Sequence, residues 1–236
     1  MKNLFFAAFC AFLCLAVATD VRVAHTIPDA PNVDVFVDDA KAFENIAYKE
    51  ITGYADLAAG THTYSIRVAG TDTEVLGGSF TVGSSPLTVA AVGDLSSNSI
   101  SVTVVTDDNT DPADGKTRVK FVHASWNAPA VDIYADGTEL FDDISFLEVA
   151  SYQEVDGGSY DVEVRVSGTS TVALSVDGLK LEDGTVYTIW AVGNVTGTGD
   201  EALTALVSKD ATTGAAAGLS ISFALIALCF IAQSMF

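Results

Sequence analysis

The sequence predicts an all-β protein: two tandem Ig-like antiparallel β-sandwich domains, preceded by a signal peptide and followed by a C-terminal hydrophobic segment. Three observations carry that reading. Residues 21–71 recur without a gap at 119–169, so Val21-Arg-Val-Ala-His25 returns as Val119-Lys-Phe-Val-His123. Apolar and polar residues alternate with period two, the mark of a half-buried strand. Turn formers interrupt these runs at short intervals, as in sandwiches.

The elements follow in order. Tyr64, Ile66 and Val68 alternate with Thr63, Ser65 and Arg67; in the second copy Val162, Val164 and Val166 alternate with Asp161, Glu163 and Arg165. Further β-rich runs are 21–25, 33–37, 51–57, 79–82, 87–92 and 99–105, about seven strands per copy, with an up-and-down barrel as the alternative. Ala59-Gly60, Gly77-Gly78, Asp136-Gly137 and Asp183-Gly184 supply turns. Residues 107–117 are polar, acidic and turn-rich and read as a linker between a first repeat, 19–106, and a second, 118–208.

Both ends read as processing signals. Lys2, the apolar run Leu4–Val17 and Ala16-Val17-Ala18 make residues 1–18 a signal peptide with cleavage before Thr19. Residues 209–236 combine small residues, a short spacer and an apolar tail from Leu219, the layout of a glycosylphosphatidylinositol (GPI) anchor signal. Ser208 fits best as the lipid-anchor residue, with Asp210 to Thr212 as alternatives, and a retained membrane helix is the second reading. Either way the body is expected on the extracellular side of the plasma membrane or cell envelope, anchored at its C-terminus. Cys10, Cys14 and Cys229 all fall in these ends. That leaves a cysteine-free body, which excludes thiol catalysis and thiolate metal sites there.

The formal net charge is −20. Such a field repels nucleic acid and anionic headgroups and favours cations and basic partners.

Candidate chemistry is sparse. His25 and His123 occupy equivalent inward positions at strand ends and read as buried structural groups, hydrogen-bonded to Asp34 and Asp132. The competing reading makes each His–Asp pair the acid–base dyad of an extracellular hydrolase, which would still need a nucleophile. Glu50 with Arg67, and Glu148 with Arg165, suggest a cross-strand ion pair in each copy. Asp107, Asn109 and Asp111 present alternating oxygens that could hold Ca2+, although the EF-hand positions for Gly and Glu are Pro112 and Arg118. Trp126 sits in a loop, where it could contact a protein or glycan or plug the junction between the copies. Asn194-Val-Thr196 is a glycosylation sequon. No catalytic or cofactor-binding residues are assigned.

One resemblance adds to this. Val21-Arg-Val-x-His25, then Pro28-Asp-Ala-Pro31-x-Val-Asp34-Val-Phe-Val, Tyr54, Ala59-Gly60 and Ala91-Val92-Gly93 resemble the secreted family called domain of unknown function 4397. The second copy matches through Val119–His123, Asn127-Ala-Pro129-Ala-Val-Asp132, Gly158 and Tyr187-Thr-Ile-Trp-Ala-Val-Gly193. It departs at Trp126, where the family usually shows Pro, and at Asp38-Asp39, where Asp-Gly is usual. The resemblance implies a surface or envelope β-domain, often in tandem, and brings no catalytic residues. The expected function is therefore non-enzymatic: adhesion, recognition or a coat role, with the membrane and an unknown protein or glycan as partners.

Overall fold

The computed structural model describes residues 18–213 and the backbone of 221–222. Residues 1–17 of the expected signal peptide, and most of the C-terminal segment, lie outside the described residues. No helix among the described residues is long and apolar enough to cross a membrane.

Each copy is an eight-stranded sandwich. The first comprises β1 (Ala18–His25), β2 (Val33–Val37), β3 (Ala40–Ile46), β4 (Ala55–Ala58), β5 (Gly60–Val68), β6 (Glu74–Val82), β7 (Leu87–Asp94) and β8 (Ser99–Thr106). The second repeats them as β9 (Lys116–His123), β10 (Val131–Ala135), β11 (Thr138–Ile144), β12 (Gln153–Asp156), β13 (Gly158–Val166), β14 (Val172–Leu181), β15 (Thr185–Val192) and β16 (Thr204–Thr212). A two-residue strand, β17 (Ile221–Ser222), pairs with the free edge of β4.

Strand order is β3-β2-β5-β6 in the outer sheet of the first copy and β4-β1-β7-β8 in its inner sheet; the second copy gives β11-β10-β13-β14 and β12-β9-β15-β16. β1 pairs in parallel with β7 and β9 with β15, and β17 adds a second parallel pair to the first inner sheet through β4. The sandwich is thus mixed there and antiparallel elsewhere.

The alternation sorts residues as expected. Val23, Val33, Val35 and Ile66 pack inside the first sandwich, and Phe121, Ile133, Phe141 and Val164 inside the second. A further cluster joins the copies. Ala24, Ala90, Val92 and Val105 pack with Val122, Ala124, Trp190 and Val192. The two inner sheets therefore lie against each other, and the molecule is a stack of four sheets. This explains why every residue of β7 and β15 is buried. A strand covered on both faces loses its polar side.

Relative orientation follows from contacts at both ends of the inner sheets. Arg22, early in β1, meets Asp210 beside the start of β15, and Lys49 meets Asp200 at the opposite end. The strands β1 and β9 consequently run the same way. Ala18 and Thr212 lie at one end of the body; the loops after β1, β7, β9 and β15 lie at the other.

Candidate functional site

The histidines close the far ends of β1 and β9. Both are 0% exposed. His25 Nε2 is 3.1 Å from the Pro31 carbonyl oxygen, and His123 Nε2 is 3.0 Å from that of Pro129. A carbonyl only accepts, so Nε2 carries the proton in each ring. His25 Nδ1 accepts the Ile27 N–H at 3.4 Å. Burial pushes both histidines below the ordinary value and keeps them neutral. They pin the proline-containing loops onto the inner sheets.

The expected bonds to Asp34 and Asp132 are not among those made by the described residues. Each aspartate serves a bulge instead. The β2–β3 pairing shifts register twice, and β10–β11 repeats both shifts. Asp34 Oδ1 accepts the Asn45 N–H at 2.8 Å and Asp132 Oδ1 accepts the Asp143 N–H at 2.8 Å, where those residues turn to φ 55° and 51°. The second oxygens accept the Gly70 and Gly168 N–H groups. Lys41 and then the Asn45 N–H hold Asp34 below the usual carboxylate range; for Asp132 the Asp143 N–H is the main cause. These groups replace ladder bonds that the bulge removes. Neither His–Asp pair forms a dyad.

The proposed Glu–Arg pairs also resolve differently. Glu50 accepts the Ala47 N–H at 2.9 Å and Glu148 the Ser145 N–H at 2.7 Å, each closing its own turn. Arg67 stacks on Phe36 at 4.1 Å, and Arg165 on Tyr134 at 4.0 Å, on the outer faces. Carboxylate and guanidinium belong to different surfaces of the sandwich.

The remaining candidates are scattered. Trp126 is half-buried in the β9–β10 loop, and its Nε1 has no hydrogen-bond partner among the described residues. Asn194 opens a turn in which Gly197 N–H donates to its carbonyl at 3.0 Å, with Val195 and Thr196 exposed. Asp111 is exposed and Asn109 half-buried. Among the described residues no group of three or more His, Cys, Asp or Glu is placed to hold a metal ion. Ser208 lies within β16 and is 8% exposed. Lipid attachment there would end the chain within β16, before Asp210.

Asp107 differs most from its expected place. It is 1% exposed, not a solvated linker residue. It sits in a polar cluster, buried between the inner sheets, that sequence reasoning missed. Lys120 Nζ donates to Asp107 Oδ1 at 2.5 Å; Thr88 and Tyr54 donate to Oδ2 at 2.6 Å and 2.7 Å. The second copy mirrors this. Arg22 Nη2 donates to Asp210 Oδ1 at 2.6 Å, Ser208 donates to the same oxygen at 2.7 Å, and Thr188 donates to Oδ2. Each copy's cation thus pairs with the carboxylate that closes the other copy's sheet. Arg22 and Lys120 also lie over the rings of Tyr54 and Tyr152, at 4.6 Å and 4.9 Å. Two cations and two anions balance, and the threonine and tyrosine hydroxyls occupy remaining lone pairs. That is the condition under which buried ions are tolerated. One signal pointed here: Arg22 and Lys120 recur at one position in strands whose neighbours are otherwise apolar.

The family described as Domain of unknown function (DUF4397) matches residues 19–134 and again 122–220. No curated protein matches the chain. Among solved structures, a family 26 carbohydrate-binding module from Eubacterium rectale, in complex with maltoheptaose, is 10% identical. It covers 81% of this chain and 97% of its own, with a TM-score of 0.29. A streptococcal virulence factor whose alpha-glucan binding was studied is 11% identical over 73% of this chain and 92% of its own, at a TM-score of 0.24. Scores this low transfer neither fold nor ligand.

Proposed function

Because the chain belongs to the DUF4397 family, in two copies, we propose that the duplication is the working feature: the protein is a non-catalytic surface recognition or adhesion unit. In this reading the two sandwiches act as one rigid body, held outside the cell by the C-terminal segment. The closed, charge-balanced junction between the copies is the observation that supports it. Independent modules on a flexible linker would gain avidity by reach. Modules locked face to face instead present both copies' loops at a fixed spacing, which lowers the entropy lost on binding. Ala18 and Thr212 emerge together, so a tether there leaves the opposite loop end pointing away from the membrane.

The test uses the full chain, tagged in the exposed segment 113–115. Surface labelling of intact cells, and binding on a glycan and surface-protein array, are the expected outcomes. Tag inaccessible on intact cells, or turnover of an ester, peptide or glycoside that His25→Gln or His123→Gln abolishes, would overturn it.

A further inference from the structure

We infer that the free loop end is a protein-docking surface for a basic partner that carries an apolar anchor side chain. The inference rests on the recognition reading above and adds the place and the partner's chemistry.

Exposed aliphatic residues gather at this end. Six large apolar residues are exposed among the described residues, and four of them, Leu95, Leu147, Val149 and Val195, are in its loops. Scattered surface leucines need no explanation, but clustering does. Two of the four repeat. Leu95 and Val195 each come two residues after the glycine of a repeated Ala-Val-Gly run, Gly93 and Gly193, and are 37% and 47% exposed. Each is held by the same device, its N–H donating to a side chain of the opposite loop: Asp29 Oδ1 at 2.8 Å and Asn127 Oδ1 at 3.0 Å. Both copies thus hold out an aliphatic side chain on a fixed backbone.

Leu147 adds strain to exposure. Its φ is 71°, in the left-handed region that a bulky residue seldom adopts. The first copy makes the same turn with Lys49 at φ 69°. The turn therefore does not require leucine; the second copy has an apolar tip where a lysine would fold equally well. Trp126, where the first copy has Pro28, adds a half-buried indole in the loop that holds Val195. The copies converge here, because Lys49 lies 4.0 Å from Asp200.

Charge defines the occupant. The same loops carry Asp29, Glu50, Glu148, Asp200 and Glu201 against Lys49 alone. A partner must offset this rim while burying the aliphatic tips, so an acidic partner is excluded and an apolar side chain framed by Lys or Arg fits.

The chain has two tryptophans, and Trp190 is 0% exposed, so changes in quenching report Trp126. The probe is an amphipathic peptide of alternating lysine and leucine, with a glutamate–leucine peptide as control, added to the purified full chain. The lysine peptide should shift emission to the blue and protect against iodide; the glutamate peptide should do neither. Leu147→Lys, which installs the first copy's residue, should weaken binding at least tenfold with an unchanged circular dichroism spectrum. Val195→Ser should weaken it about threefold. Equal response to both peptides, or unchanged binding by both variants, overturns the inference while leaving surface display intact. Self-association that Leu147→Lys abolishes would name a second copy as occupant instead. A glycan bound on the array and lost in Trp126→Ala would name a sugar. Either result also overturns it.

Discussion

Each inner sheet has two buried faces, and they are built differently. Toward its own outer sheet the first copy presents Val21, Val23, Leu87 and Val89, all apolar. Toward the other copy it presents Ala24, Ala90 and Val92 beside Arg22 and Thr88, with Asp107 at the edge. The first face can repack around other apolar side chains of similar total volume. The second cannot, because displacement by one residue would leave two cations and two carboxylates buried and unpaired. Apolar contact holds each sandwich; reciprocal ion pairing sets how the sandwiches face each other.

The largest break in that contrast is Asp107→Ala. It strips Lys120 of its carboxylate and leaves the Thr88 and Tyr54 hydroxyls without their acceptor. A buried ion that loses its partner costs about 3–5 kcal/mol. Urea unfolding should show the loss. A change under about 1 kcal/mol would mean that the junction opens to water and the pairing is not structural. The complementary variant replaces Arg22, Asp107, Lys120 and Asp210 with Met, Leu, Met and Leu, together with Tyr54→Phe, Thr88→Val, Thr188→Val and Ser208→Ala, so that no buried hydroxyl is left without its acceptor. Stability should hold or rise by about 1–4 kcal/mol. Spin-label distances between the outer sheets should broaden, since the apolar junction no longer selects one register.

Asp34→Asn tests the other side of the comparison, a buried carboxylate that works inside one sandwich. It keeps shape and loses charge toward Lys41 and the Asn45 and Gly70 N–H groups. Hydrogen bonds to a charged group contribute roughly 1.5–3 kcal/mol, so the cost is smaller than at Asp107. The inter-sheet distances should stay sharp. Broadening by Asp34→Asn would mean that the two kinds of site are not separate.

The repetition in the sequence made the duplicated sandwich legible, and with it the duplicated histidines, aspartates and acidic turns. What those residues bond to was not legible. Recurrence pairs Asp34 with His25, whereas its partners are Lys41, the Asn45 N–H at a bulge that leaves no mark in the apolar pattern, and the Gly70 N–H of a neighbouring turn. Arg22 and Lys120 alternate with Val21 and Val23 and with Val119 and Phe121, which turns them away from their own core, but period two cannot say whether that face meets water or protein. Asp107 was masked by its surroundings, Asp108 to Asp111, which are polar. The clue that remained was β7 itself, apolar at both parities through Val89, Ala90, Ala91 and Val92. A strand of that kind is covered twice.

The smallest effect separates the two copies from neither region but probes both histidine ends together. Burial depresses His25 and His123 below their unfolded value of 6.5. The unfolded chain then binds protons that the folded chain refuses, so stability is full above about pH 6.5 and falls as pH drops toward the lowered values. A second loss follows in more acid solution, because Asp34, Asp132 and Asp94 are depressed below 3.8 and favour the folded state only while ionised. Asp20 works the other way. Burial and the facing Asp56 raise it, so its protonation on acidification relieves the folded state. Thermal melts should therefore be flat from pH 8 to 7, decline gently to pH 5, and steepen below about pH 4. Replacing both histidines with glutamine should remove the gentle decline and leave the steep one. If the decline between pH 7 and 5 survives that double replacement, the buried rings are not its source and the loops they pin are open to solvent.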